Sequence, residues 1–335
     1  MGRIRNFLTG AGTAALLGAV CSTPLLAQTL DDPSRAGYYD ALKGRKVAYL
    51  PVAMGLDLTE GWAAGLKAAL EPLGVTFDIR DPNWSTDTGS QAITSLISEK
   101  PDVLVVHNPD VQSYARLLKR AEDAGIHVVQ VNMRSSYSSD VFVGADYIGM
   151  GEQIGQRLVE KCSPANGGSG KVAITQGVLT ASTSLYQMRG IEAVVGAAEG
   201  MQIVSNQAAD WDSTKARNIA ATVIQQHPDL CAIAGFWDVM DIGTASAVRE
   251  SGKDIFVLTQ GGGNRMACDN IASGNFSEVV VYHVGHQAQD MATMIRHLLQ
   301  QGKPPGTSKT TLFTPLQFLN KDNMTSASCW DLPAK

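Results

Sequence analysis

Lys100-Pro101-Asp102-Val103-Leu104-Val105-Val106, followed closely by Asn108-Pro109, decides the fold. Four consecutive apolar residues, mostly β-branched and ended by turn formers, read as a strand buried on both faces. Such strands belong to parallel sheets covered by helices. The same unit recurs on either side. Before it, Lys46–Leu50 reads as a strand, and Trp62, Leu66, Ala69 and Leu70 fall at helical spacing with Gly74 as the stop. Val75–Ile79 is the next strand, and a helix over Gln91–Lys100 turns Ile93, Leu96 and Ile97 inward. After it, a helix over Tyr114–Ala124 is stopped by Gly125 and leads to a strand at Ile126–Val131. Beyond Val141-Phe142-Val143 the rhythm restarts. Helices are expected at Ile148–Cys162, Leu185–Ala198, Lys215–Gln226, Met240–Glu250 and His286–Gln300. Strands are expected at Val172–Ile174, Gln202–Val204, Cys231–Ala234, Ile255–Leu258 and Val279–Val281. Alternation of this kind predicts a doubly wound α/β sheet, and two rounds predict two of them.

The N-terminus carries a different pattern. Arg3 and Arg5, an apolar stretch from Phe7 to Val20, and Pro24-Leu25-Leu26-Ala27 before Gln28 predict a secretory signal peptide over residues 1–27. The apolar run is shorter than the roughly 20 residues that a membrane span needs. Cys21 raises a lipoprotein alternative, but Val20 stands where a small residue is expected, so Cys21 falls in the discarded peptide. The full chain carries a net charge of −5, and loss of Arg3 and Arg5 makes it −7. That disfavours nucleic acid and anionic lipid as partners. Cys162, Cys231, Cys268 and Cys329 remain, an even number that favours disulfides in an exported chain. Spacing does not choose among the three connectivities. Cys162–Cys231 with Cys268–Cys329 is preferred, because the first pair then lies within one expected domain and the tail gains an anchor.

Several local patterns resemble the type I periplasmic binding proteins of the ribose-binding kind. Ala124-Gly125-Ile126-His127-Val128-Val129 is similar to that family's A-x-I-P-V-I strand. Val143-Gly144-Ala145-Asp146 resembles its domain crossover, Gln187-Met188-Arg189-Gly190 its R-x-R-G helix, and Ala209-Asp210-Trp211-Asp212 its A-D-F-D. The resemblance runs from about Arg45 to Asn320. It implies two parallel-sheet lobes joined by three hinge crossings, with ligand held between them. Lobe one would comprise residues 45–145 plus 283–313, and lobe two 146–282 plus 314–322, with 323–335 as a tail. It further implies a soluble periplasmic receptor, expected to be monomeric, that hands a sugar or polyol to an ABC permease in the inner membrane. Sensing, or a non-sugar solute, is the alternative.

The resemblance also places the site just past the strand ends. Asp57 and Leu58 follow the first strand, where Asp57 either accepts ligand hydroxyls or supplies a helix N-terminal acid. Asn132 and Arg134 stand near the family's Asp-Arg clamp, with Arg134 one position late. Asp146 lies at the crossover, and Gln187 replaces a ligand arginine. Trp211 takes a stacking-aromatic position. Trp237 replaces an amide beside Asp238, itself a ligand contact or a helix cap. Gln260, in Gln260-Gly261-Gly262-Gly263, replaces an aspartate that grips two hydroxyls, and Tyr282 sits at a hinge. These departures imply a cleft more aromatic and less charged than a ribose cleft, suited to a polyol or deoxysugar. No enzyme, cofactor or metal is expected. The triple glycine lacks phosphate-loop spacing, no G-x-S-x-G elbow occurs, and His283 and His286 fit a hinge better than a metal site.

Overall fold

A computed structural model describes residues 32–332 of the chain. The predicted signal peptide and Cys21 lie outside the described residues. Two six-stranded sheets organise the rest. The first holds β1 (Lys46–Leu50), β2 (Thr76–Ile79), β3 (Val103–Val106), β4 (His127–Val131), β5 (Val141–Gly144) and β11 (Thr310–Phe313). Its order is β11-β5-β4-β3-β1-β2, and every pair is parallel. The second holds β6 (Lys171–Gln176), β7 (Gln202–Ala208), β8 (Ala232–Gly235), β9 (Phe256–Gly261), β10 (Glu278–Val281) and β12 (Gln317–Leu319). Its order is β12-β10-β9-β8-β6-β7, parallel except for β12, which runs antiparallel to β10.

Every residue of β3, β4, β5, β8 and β10 is buried, because helices cover both faces. On one face of the first sheet, Leu50, Leu104 and Val128 meet Ile93 and Leu96 of α3 (Thr86–Glu99) and Leu118 of α4 (Ala115–Asp123). On the other, Val47, Tyr49 and Val105 meet Trp62 and Leu66 of α2 (Asp57–Leu70) and Met291 and Ile295 of α10 (Val284–Gln301). A short α1 (Pro33–Leu42), capped by Asp32, packs against α10. The second sheet lies under α5 (Tyr147–Cys162), α6 (Ser182–Val195), α7 (Ser213–Gln226), α8 (Asp238–Ser251) and α9 (Arg265–Ser273).

The chain passes between the sheets three times: from β5 to α5, from β10 to α10, and from β11 to β12. This is the two-lobed α/β fold expected from the sequence. Both preferred disulfides form. Cys162–Cys231 joins the end of α5 to the residue before β8, and Cys268–Cys329 ties the tail to α9. Helix starts are where the expectation was least exact. α3 begins at Thr86 because the Ser85 hydroxyl accepts from Thr88 N at 3.1 Å, and α6 begins at Ser182, three residues early. α1, α9, β11 and β12 were not anticipated.

Candidate ligand-binding cleft

Both sheets reverse their winding beside the first strand of the lobe, β1 in one and β6 in the other. At such a switch point the loops leaving adjacent strands diverge and open a crevice at the carboxyl ends. Here the two crevices face each other. From lobe one come Val52 after β1, Trp84 after β2, His107 after β3, and Asn132 with Met133 after β4. From lobe two come Thr183 on α6, Trp211 after β7, Phe236 and Trp237 after β8, and Gln260 near the end of β9. Tyr147 and Tyr282 line the same cavity from two of the crossings, and Leu56 and Leu58 close one end.

Backbone strain concentrates at this wall. Trp84, Asn132 and Trp211 have φ of 67°, 59° and 64°. Bulky residues rarely adopt the left-handed region, and such strain tends to gather at functional sites. Trp211 lies directly over Gly177, where a Cβ would come within 2.1 Å of the indole. Trp211 and Trp237 meet edge to face at 6.3 Å, so lobe two offers two indoles and the Phe236 ring.

The polar groups on this wall are incompletely satisfied. The Tyr147 hydroxyl donates to Asn132 Oδ1 at 2.8 Å, and Asn132 Nδ2 has no partner. Gln260 Nε2 donates to the Phe236 carbonyl at 2.6 Å, and Gln260 Oε1 has none. Thr183 Oγ1 and both ring nitrogens of His107 are also without partners. Burial pulls the His107 pKa down to about 3, so its imidazole is neutral, with one nitrogen donating and the other accepting. Orphaned buried polar atoms are uncommon and each is costly, so four side chains of this kind around one cavity mark a place for a hydroxylated guest.

The expected site residues divide. Leu58, Asn132, Trp211, Trp237, Gln260 and Tyr282 line the cavity. Gln187 is fully buried with both amide atoms unpartnered, but it is not among the residues that line the cavity. Asp57 lines an adjoining outer chamber with Asp238, Asn264 and Trp330. It accepts from Asn264 Nδ2 at 2.5 Å, a bond from one lobe to the other. Asp238 opens α8 rather than capping it, and desolvation raises its carboxyl pKa to about 7. Arg134 and Asp146 are not among the residues that line the cavity. The Arg134 guanidinium stacks over Phe142, 4.0 Å from the ring centroid. Asp146 is exposed and caps α5 through Gly149 N. His283 and His286 stack at 4.8 Å, and no group of three or more potential metal ligands occurs among the described residues.

Sequence reasoning missed His107, Trp84, Tyr147, Thr183 and Phe236. His107 had a visible signal, since it interrupts an apolar strand run at its carboxyl end. Trp84 gave none, because its loop has no regular period.

The lobes also touch at the segment that leads into α6. Val111 N donates to Thr180 O at 3.1 Å, and Arg134 N donates to Ser182 Oγ at 2.9 Å. Two doubly wound lobes closed over a lined cavity define a two-lobed solute-binding protein. A sequence model of the periplasmic binding protein domain matches residues 47–304, and the chain belongs to that family. It is 33% identical over 175 residues to a D-ribose/D-allose-binding protein of Pseudomonas aeruginosa, covering 50% of this chain and 54% of that protein. It is 26% identical to the ribose import binding protein of Bacillus subtilis, covering 70% and 75%. The chain thus spans about half the length of the first relative and three quarters of the second. An ABC transporter solute-binding protein from Burkholderia graminis, solved with D-arabinose, superposes with a TM-score of 0.75 at 24% identity, over 86% of this chain and 99% of that one. One from Agrobacterium vitis with bound D-fucose gives 0.76 at 19%, over 84% and 97%. These two likenesses concern the fold. The relatives are named as binding proteins, not enzymes.

Proposed function

We propose that this chain is the periplasmic substrate-binding protein of an ABC importer, that it captures a small sugar or polyol between its lobes, and that it acts as a monomer without altering its ligand. The observation that carries this reading is the cavity itself. Aromatic faces from lobe two lie opposite unpartnered amide and imidazole groups from lobe one. Rings cover the C–H patches of a carbohydrate, while fixed polar atoms take its hydroxyls. The relatives named for ribose, allose and xylitol support the same class. The lobe boundaries inferred from the sequence, 45–145 plus 283–313 and 146–282 plus 314–322, belong to this proposal, as does delivery to an inner-membrane permease. A micromolar ligand requires about 8 kcal/mol, which a few desolvated hydrogen bonds and stacking can supply. The test is a thermal-shift screen of the mature protein against sugars, polyols, amino acids and nucleosides. A sugar or polyol should raise the melting temperature and reduce the radius of gyration in solution scattering. Stabilisation by amino acids or nucleosides alone would reject the carbohydrate reading.

A further inference from the structure

We propose that His107 is the residue that selects the ligand, and that the cleft admits only uncharged hydroxylated molecules. The inference deepens the sugar or polyol reading and rests on it. His107 is the first residue past β3, at the centre of lobe one's sheet, and only 3% of it is exposed. Its ring lines the cavity, and neither nitrogen has a hydrogen-bond partner.

The ring is held from behind. Trp62 packs against it edge to face at 5.0 Å. Trp62 Nε1 donates to Gln287 Oε1 at 3.0 Å, Gln287 Nε2 donates to Thr314 Oγ1 at 3.4 Å, and Thr314 Oγ1 donates to Gly144 O at 3.2 Å. This chain spends its polar atoms on itself and leaves the imidazole free on its cavity side. A neutral imidazole offers one donor and one acceptor, which suits hydroxyl groups, since each can take either role.

The rest of the wall has the same character. Asn132 Nδ2 is a free donor, Gln260 Oε1 a free acceptor, and Thr183 Oγ1 serves as either. No Asp, Glu, Lys or Arg lines the inner cavity. The nearby Asp57 is bonded to Asn264, Arg134 lies over Phe142, and Asp238, whose Oδ2 has no partner, lines the adjoining chamber and not this one. A charged solute enclosed here would lose its hydration without gaining a counter-charge, a cost that far exceeds one hydrogen bond.

The experiment uses titration calorimetry on the mature full-length chain. The neutral panel is D-ribose, D-arabinose, D-allose, erythritol and xylitol, and the charged panel is D-ribonate, D-arabinonate and D-glucosamine. Neutral members should bind and charged ones should not. For whichever neutral probe binds, His107→Phe should weaken affinity about tenfold or more, the loss expected for one buried hydrogen bond. His107→Gln, which keeps a donor and an acceptor, should recover part of it. In the wild type, long-range ¹H–¹⁵N spectra should show a neutral His107 ring whose nitrogens shift when that probe is added. Wild-type affinity in a folded His107→Phe, unmoved ring nitrogens, or equal binding of a charged probe overturns the inference while leaving the sugar reading intact. Silence of the folded wild type toward every panel member removes the sugar reading, and this inference with it.

Discussion

The two lobes share one winding order, yet they are built to different standards. Lobe one has no disulfide among the described residues. Its β3, β4 and β5 are buried throughout, and its sheet is sealed by α2 and α10 on one side and α3 and α4 on the other. Lobe two carries both disulfides. Its edge strand β7 is half exposed, as β2 is in lobe one, and it buries the carboxyls of Asp238 and Asp241 where lobe one buries those of Asp140 and Glu122. At the cleft, lobe one contributes the imidazole and the Asn132 amide, while lobe two contributes two of the three indoles. The lobes thus differ in covalent ties more than in burial, since β8 and β10 of lobe two are as fully buried as β3 to β5 of lobe one.

Reduction tests that contrast with the largest expected effect. Each disulfide closes a loop of more than 60 residues, with sequence separations of 69 and 61. Chain-entropy arguments assign such a loop about 4 kcal/mol. Cys162→Ser/Cys231→Ser and Cys268→Ser/Cys329→Ser should each lower the melting temperature of lobe two and split the calorimetric transition. Lobe one should keep its wild-type transition. A uniform downward shift of a single transition would break the comparison.

Acidity sharpens it, because the buried imidazole of lobe one and the buried carboxyls Asp238 and Asp241 of lobe two should respond with opposite sign. Burial raises the carboxyl pKa values of Asp238 and Asp241 from 3.8 to about 7. The folded chain then retains protons that the unfolded chain gives up. The stability this provides is present below about pH 4 and is lost as pH rises to about 7, a loss of about 4 kcal/mol per group. Asp238→Asn, which keeps the bond from Val239 N to Oδ1, should flatten that slope. His107 behaves oppositely. Its pKa falls from 6.5 to about 3, so below about pH 6.5 the unfolded chain takes up a proton that the folded chain refuses. His107 should cost lobe one about 3 kcal/mol between pH 7 and pH 4.5, and His107→Phe should remove that contribution. Calorimetry at several pH values reads both slopes.

The smallest change is a single methyl group. Gly177→Ala would place its Cβ against the Trp211 indole and tilt the ring out of the wall. About a tenfold loss of ligand affinity is expected, with a modest fall in melting temperature, since the ring also packs against Ala209, Ala216 and Met240. Unchanged affinity would mean that the Trp211 face is not used.

Legibility from sequence followed burial. Strands such as Val103–Val106 announce themselves because every position is apolar, and helices such as α2 because one stripe must face the sheet. β11 and β12 escaped because they are edge strands with half-exposed alternation, and α9 because it is short. In the site, Trp211, Trp237, Gln260 and Tyr282 were reachable because the family resemblance places ligand residues past strand ends, even though β7 runs four residues beyond its expected end. Arg134 and Asp146 misled, because position along the chain does not fix a side chain's direction. Arg134 turns back onto Phe142, and Asp146 satisfies its own helix.

The third crossing has a consequence for assembly. The outermost strand of one sheet spans Thr310–Phe313 and that of the other Gln317–Leu319, side by side in the chain. Neither half is complete until that ten-residue stretch is available. A nascent polypeptide lacking it exposes the bare edges of β5 and β10 together. Both lobes therefore wait on the same late stretch of chain before either sheet can be finished.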